Sequence, residues 1–300
     1  MKKKTYLFAL MTMALTLGSC SADENGIGGE TSKYITVSTS IGNMTRVATD
    51  ANGGQTFEEG DEISVYAWTG APTVAPETSE RVVNNAINKL TNGSWISTPQ
   101  MLWKNNREKH YFIGVYPTAA ISDLSAGEYT FDVNKQTESD LLVAVNKDGI
   151  SYNADEQQTV PLTFTHVMAK LVVNLTYKNQ WGGIPTVEKV VVGNAAKEAT
   201  INYLTKVVTP STTAKEDFSL PEITENTKYV SVIIPQEDVK QLTIVIGGKN
   251  FVYDNGTPFK LESGKITTVN LEVGRDEIKL GDVKITNWED GSTFSGEALN

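Results

Sequence analysis

Two histidines, one cysteine and a scatter of acidic pairs make up the reactive chemistry available to this 300-residue sequence. His110 and His166 stand apart, neither in a His-Glu-x-x-His arrangement nor beside a cysteine pair, so nothing in their spacing builds a zinc site. Both lie next to strand-like runs, where a hydrogen-bonded structural histidine is the simpler reading. The pairs Glu58-Glu59, Asp61-Glu62, Glu237-Asp238 and Glu289-Asp290 are candidates for the two carboxyls of a glycosidase, which must converge within about 5–10 Å. Neighbours on a strand point to opposite faces, so each pair reads better as a solvated turn. No Gly-x-Ser-x-Gly elbow, phosphate-binding glycine loop or spaced calcium-ligand loop occurs. The expectation is a protein without catalytic activity, metal or cofactor. Trp68, Trp95, Trp103, Trp181 and Trp288 are open to two uses, a stacking platform for a glycan ligand or core filling, and the second suits the large area an aromatic side chain buries.

The cysteine has a more specific setting. Lys2, Lys3 and Lys4 precede an apolar run from Thr5 to Leu17, the charged-then-apolar order of a secretory signal. As a helix that run reaches roughly 20 Å, short of the roughly 30 Å hydrocarbon core of a bilayer. It ends in Leu17-Gly18-Ser19-Cys20, which resembles the lipobox of bacterial lipoproteins, with residues 1–19 removed and Cys20 lipidated. A lone cysteine forms no internal disulfide, and more than one acyl chain on Cys20 gives stable anchoring to the outer membrane. The acidic Ser21-Ala22-Asp23-Glu24 resembles a signal that directs lipoproteins to the cell surface. The net charge is −10, and losing residues 1–19, with three lysines and no acid, makes it more negative by three, which disfavours nucleic acid as a partner.

Residues 20–33 read as a tether, Gly-, Thr- and Ser-rich from Gly26 to Lys33; folded structure is expected from Tyr34. From there apolar residues alternate with period two, as at Ile35, Val37, Thr39 and Ile41, and again at Ile63, Val65 and Ala67. Comparable runs recur to Val273 without intervening helical patterns, which predicts an all-β fold. The exception is Ser79–Leu90, where Val82, Val83, Ala86, Ile87 and Leu90 follow helical spacing behind a Ser79 cap. Asp254-Asn255-Gly256 predicts a hairpin turn. The flexible stretch Lys178–Gly183 is the expected boundary between an N-terminal β-sandwich at 34–178 and a C-terminal one at 184–300.

Ordered motifs then carry a family resemblance. They are Phe57-Glu58-Glu59-Gly60-Asp61-Glu62-Ile63 with Val65-Tyr66; Tyr111–Pro117; Gln136 with Asp140–Ala144; Leu162–Leu171; Ile234-Pro235-Gln236; Leu261–Lys265; and Ile285-Thr286-Asn287-Trp288. In this order, behind a lipobox, they resemble the fimbrillin-like proteins, pilus subunits of Gram-negative anaerobes. That resemblance implies two tandem transthyretin-like antiparallel β-sandwich domains in a cell-surface fimbrium, a role in cell adhesion and no enzymatic activity. It further implies that a protease cuts after an arginine beyond the first strand, and that a neighbouring fimbrial subunit replaces that strand by strand exchange. Arg46 in Asn43-Met44-Thr45-Arg46-Val47 is the candidate cleavage site. Glu289–Asn300 make a poor donor strand, which favours a tip or accessory subunit over a stalk subunit. A host or glycan ligand is the remaining expected partner, and a surface glycan-binding lipoprotein the alternative reading.

Overall fold

The computed structural model describes residues 33–42, 56–153, 155–156, 158–254 and 256–288; Cys20 and Arg46 lie outside them. The chain is built almost wholly of strands: β1 (Thr36–Ile41), β2 (Glu62–Thr69), β3 (Val83–Thr91), β4 (Ser94–Thr98), β5 (Lys109–Tyr116), β6 (Gly127–Thr130), β7 (Leu142–Ser151), β8 (Thr159–His166) and β9 (Ala169–Tyr177). There follow β10 (Val187–Ala196), β11 (Glu198–Asn202), β12 (Val207–Pro210), β13 (Lys215–Ser219), β14 (Glu222–Thr224), β15 (Lys228–Ile233), β16 (Gln241–Ile246), β17 (Lys249–Asp254), β18 (Lys265–Val273) and β19 (Ile278–Asn287). Among the described residues one α-helical turn, α1 (Gln136–Ser139), and two 3-10 turns, Thr78–Glu80 and Asn179–Trp181, interrupt them.

Four sheets result. A seven-stranded sheet runs β1-β8-β7-β5-β2-β3-β4, a five-stranded sheet β14-β15-β9-β18-β19, a four-stranded sheet β13-β10-β16-β17, and a three-stranded sheet β12-β11-β6. Most ladders are antiparallel, but β1 joins β8 and β18 joins β9 in parallel. Parallel neighbours need a long crossover, and in both cases the intervening chain supplies one.

The middle of the seven-stranded sheet is covered on both faces. On β2, Ile63, Val65 and Ala67 pack with Phe112, Leu162 and Phe164, while Tyr66 and Trp68 point the other way into a core shared with Leu171, Val190 and Ile233. Every interior residue of β2 is therefore buried, and polar residues find no solvent face there.

Two sequence expectations are corrected. Ser79–Leu90 is not a helix: a 3-10 turn at Thr78–Glu80 leads straight into β3. Between the pairs Val65↔Ala86 and Ala67↔Val83 the third strand carries one extra residue, and Asn85 takes a φ of 55°. This bulge brings Val83 and Ala86, three apart, onto one buried side and so imitates helical spacing. The hairpin expected at Asp254-Asn255-Gly256, of which Asn255 lies outside the described residues, has no ladder, because among the described strands β17 pairs with β16 alone and lies at its sheet's edge. The tight turn is instead Gly247-Gly248, where both residues take the positive φ that a two-residue hairpin loop demands.

Ladders also join strands on either side of the stretch 178–183. Strand β9 ends before it yet pairs with β15 and β18, and β6 pairs with β11. The chain changes sheets earlier, at Val167-Met168 between β8 and β9, where both side chains are fully buried. A two-residue link between alternating runs looks like a hairpin in sequence. Here Val167 donates its N–H to the Leu141 carbonyl at 3.0 Å, and the chain passes through the core rather than turning back.

Candidate functional site

The first strand and its seat form the one site predicted from sequence whose geometry the described residues contain. Its register on β8 runs from Thr36↔Thr159 to Ile41↔Phe164. Ile35 and Val37 are buried among Val160, Leu162, Phe164, Ile63 and Met101, and the inward-facing Thr39 and Ile41 are partly buried. Burying an aliphatic side chain of this size contributes roughly 1.5–3 kcal/mol, so Ile35 and Val37 do most to hold the strand. The outward side is polar: Thr36 Oγ1 donates to the Gln158 carbonyl at 3.1 Å and Ser40 Oγ to Thr163 Oγ1 at 3.2 Å.

The strand occupies a sheet edge. Its other flank faces β4, the opposite edge of the same seven-stranded sheet, with no ladder between them. The two edges meet at a few points only. Ile35 donates its N–H to the Met101 carbonyl at 3.0 Å, Trp103 donates to the Lys33 carbonyl at 3.2 Å, and Tyr34 bridges Leu102. Farther along, contact passes to side chains: Trp95 Nε1–H donates to Thr39 Oγ1 at 3.0 Å. Beyond it a groove runs between the strands, lined by Thr36–Ile41, Phe57, Leu90 and Ser94–Ile96.

Aromatic rings make the floor at the far end. Phe57 meets Trp95, Tyr116 and Phe164 edge-on, with centroids 5.3, 5.4 and 5.1 Å away. Phe164 lies flush because residue 114 is glycine; a Cβ there would come within 2.6 Å of Phe164 Cζ. Gly42, with φ 73°, donates its N–H to the Phe164 carbonyl at 2.8 Å as the last described residue of the strand's exit.

The histidines are structural. His110 is buried, accepts the Lys104 N–H on Nε2 at 3.0 Å, and packs against Trp103; burial pushes its imidazole below the usual range, so it stays neutral. His166 bonds through Nδ1 to Asp140 Oδ1 at 2.8 Å and stacks on Trp288 at 3.9 Å. Lys170 sits 5.1 Å from the same Trp288 ring. Among the described residues no three His, Cys, Asp or Glu gather as metal ligands.

Nor do the tryptophans form a platform. Trp68 packs on Tyr111, Trp95 on Phe57, Trp103 on Tyr152 and Phe112, Trp181 on Phe251 and Trp288 on His166; Trp68 and Trp103 line one cleft, where both side chains are buried. The acidic pairs go to turns and edges, where Asp61 accepts the Glu58 N–H and Glu62 pairs with Lys89. Glu289-Asp290 lie outside the described residues.

Two glutamines from the ordered motifs tie the sheets together. Gln136 on α1 accepts the Val232 N–H on Oε1 at 2.7 Å and donates to Ser231 Oγ at 3.1 Å. Gln236 accepts the buried Ala196 N–H at 2.9 Å. The motifs thus mark structural joints rather than a reactive centre.

A family model described as fimbrillin-like matches residues 45–288. The chain belongs to the fimbrillin-like family. No curated protein matches it. Among solved structures, it is similar to a candidate cell adhesion protein from Bacteroides uniformis at 18% identity and TM-score 0.64, covering 86% of this chain and 99% of that one. A candidate cell adhesion protein from Bacteroides ovatus matches at 17% identity and TM-score 0.62, covering 85% and 98%. A fimbrial protein from Bacteroides vulgatus matches at 13% identity and TM-score 0.52, covering 84% and 99%. At these identities the likeness is one of fold. The fimbrillin-like family is one of structural fimbrial proteins, which accounts for residues that knit sheets together instead of converging on a reaction.

Proposed function

We propose that this fimbrillin-like chain is a tip or accessory subunit of cell-surface fimbriae, exported as a lipoprotein and anchored in the outer membrane through Cys20. In this reading a protease cuts after Arg46, β1 leaves, and a strand from a neighbouring fimbrial subunit takes its place. One observation carries it: β1 is an edge strand with a ladder on one side only, its buried side chains fill a groove, and Arg46 falls in the sequence between Gly42, just past the end of β1, and Thr56, where the described residues resume. Loss of such a strand uncovers the Thr159–Phe164 edge of β8 together with apolar pockets. An added strand satisfies both, with main-chain bonds for affinity and alternate side chains for specificity.

The tip or accessory role is supported by the composition of Glu289–Asn300, where Phe294, Ala298 and Leu299 are the apolar side chains and none alternate as a strand face requires. The test treats purified lipid-free precursor with an arginine-specific protease, maps the new N-terminus and follows polymer size. A new terminus at Val47 with capture of a donor-strand peptide and no self-polymerisation is the expected result. Stable polymers of this chain alone would make it a stalk subunit. Resistance at Arg46 with no strand capture would sink strand exchange altogether. Lipid on Cys20 is checked by mass spectrometry of the membrane-extracted protein, where an unmodified Cys20 or a cut elsewhere refutes it.

A further inference from the structure

We infer that Trp95 is a specificity-determining residue of the β1 groove, requiring a hydrogen-bond acceptor at the third inward position of any strand that occupies it. The inference rests on the strand-exchange reading and adds to it the chemistry of the incoming strand. The inward positions of the resident strand are Ile35, Val37, Thr39 and Ile41. The first two are buried among apolar side chains, and Ile41 lies on the Phe57 and Phe164 side of the groove. Thr39 breaks the apolar series, and it does so where the Trp95 indole reaches across from β4.

An indole N–H donates and cannot accept, so the group opposite it must carry an acceptor oxygen. The Trp95 ring packs edge-on against Phe57, 5.3 Å between centroids, and in that orientation its N–H is aimed at Thr39. Valine at this position matches threonine in shape and leaves the N–H unsatisfied, a loss that charges the full cost of a partly buried donor. The groove therefore selects an extended segment, laid parallel to β8, that reads apolar-x-apolar-x-Thr/Ser/Asn-x-apolar. The outward positions discriminate little, because Thr36 and Ser40 meet the exposed hydroxyls of Thr159 and Thr163, and Ser38, opposite Pro161, is exposed. Trp95 thus separates acceptable donor strands from those with uninterrupted aliphatic alternation, which the apolar pockets alone would take equally well.

The experiment uses the full-length precursor cut with an arginine-specific protease and fluorescent peptides spanning Tyr34–Gly42, with Thr39 kept, changed to Ser, or changed to Val. Binding of the first two at similar affinity, and about tenfold weaker binding of the Thr39→Val peptide, is the expected pattern. Trp95→Phe, which keeps the ring and removes the N–H, should bring all three peptides level. Equal binding of all three to the unmutated protein overturns the role of Trp95 while leaving strand exchange intact. No binding of any peptide overturns strand exchange itself. Because Trp95→Phe alters the groove wall, the intact chain supplies an independent check: Thr39→Val and Trp95→Phe should be non-additive in urea unfolding. Additive effects there refute the hydrogen bond on which the selection depends.

Discussion

Val37→Ala is the most direct probe of how β1 is held. Val37 is buried against Val160, Leu162 and Ile63, and truncation removes two methyl groups without touching the ladder to β8. At about 0.8 kcal/mol per buried carbon, plus a contribution from the cavity left, the loss is about 2 kcal/mol. What matters is where that loss falls. An edge strand with one ladder can open by itself while the rest of the sheet stays folded, as local units of low stability do. The two buried anchors, Ile35 and Val37, set that opening energy, so weakening one should raise the open population of β1 roughly thirtyfold. Hydrogen exchange read by mass spectrometry is the assay, following peptides that cover Tyr34–Gly42 and Thr159–Phe164. Both should exchange roughly thirtyfold faster, because amides of β8 lose their partners when β1 lifts, while peptides from β5 and β2 stay unchanged. Ser38→Ala, an exposed position on the same strand, should alter exchange by less than about twofold. Uniform acceleration across the seven-stranded sheet would refute the reasoning, since it would mean β1 opens only with the whole domain and is no replaceable element.

Other perturbations report on the surrounding framework. Gly114→Ala places a methyl against Phe164 and should destabilise by about 1–3 kcal/mol in urea unfolding, with partial recovery when Phe164→Leu is added. Lack of recovery would show that the strain lies elsewhere. Gln136→Ala strands the Val232 N–H and should cost about 1–3 kcal/mol, lowering the urea midpoint at constant slope. Burial pushes the Tyr203 phenol up to about 12. The unfolded chain sheds that proton near pH 10, so stability from the neutral phenol is complete below pH 10 and falls by about 2–3 kcal/mol as pH rises to 12. Tyr203→Phe should flatten this segment of the stability curve, and an unchanged slope would refute the assignment.

The local character of the chain was written in its sequence. Alternation at Ile35–Ile41, and repeated to Val273, is a consequence of the two-residue period of an extended backbone, and it marked β1 at the candidate site together with β2, β5–β7, β9, β10 and β15–β18, but not β8, on which β1 is seated, nor β4, β11–β14 or β19. The ordered motifs identified the family, and Cys20 and Arg46 are read from sequence signals alone, since they lie outside the described residues. Alternation names a strand's faces and says nothing of its neighbours. That is why the runs did not show that β9 joins later strands, or that β1 lies parallel to a strand more than a hundred residues away. The bulge at Asn85 disguised β3 as a helix because one added residue shifts the buried phase by a step that only the partner strand reveals. The Trp95–Thr39 bond and the aromatic floor around Phe57 belong to the same class. Nothing in sequence joins residues 39, 57, 95 and 164, and only the curl of the seven-stranded sheet, bringing its two edges face to face, makes them one site.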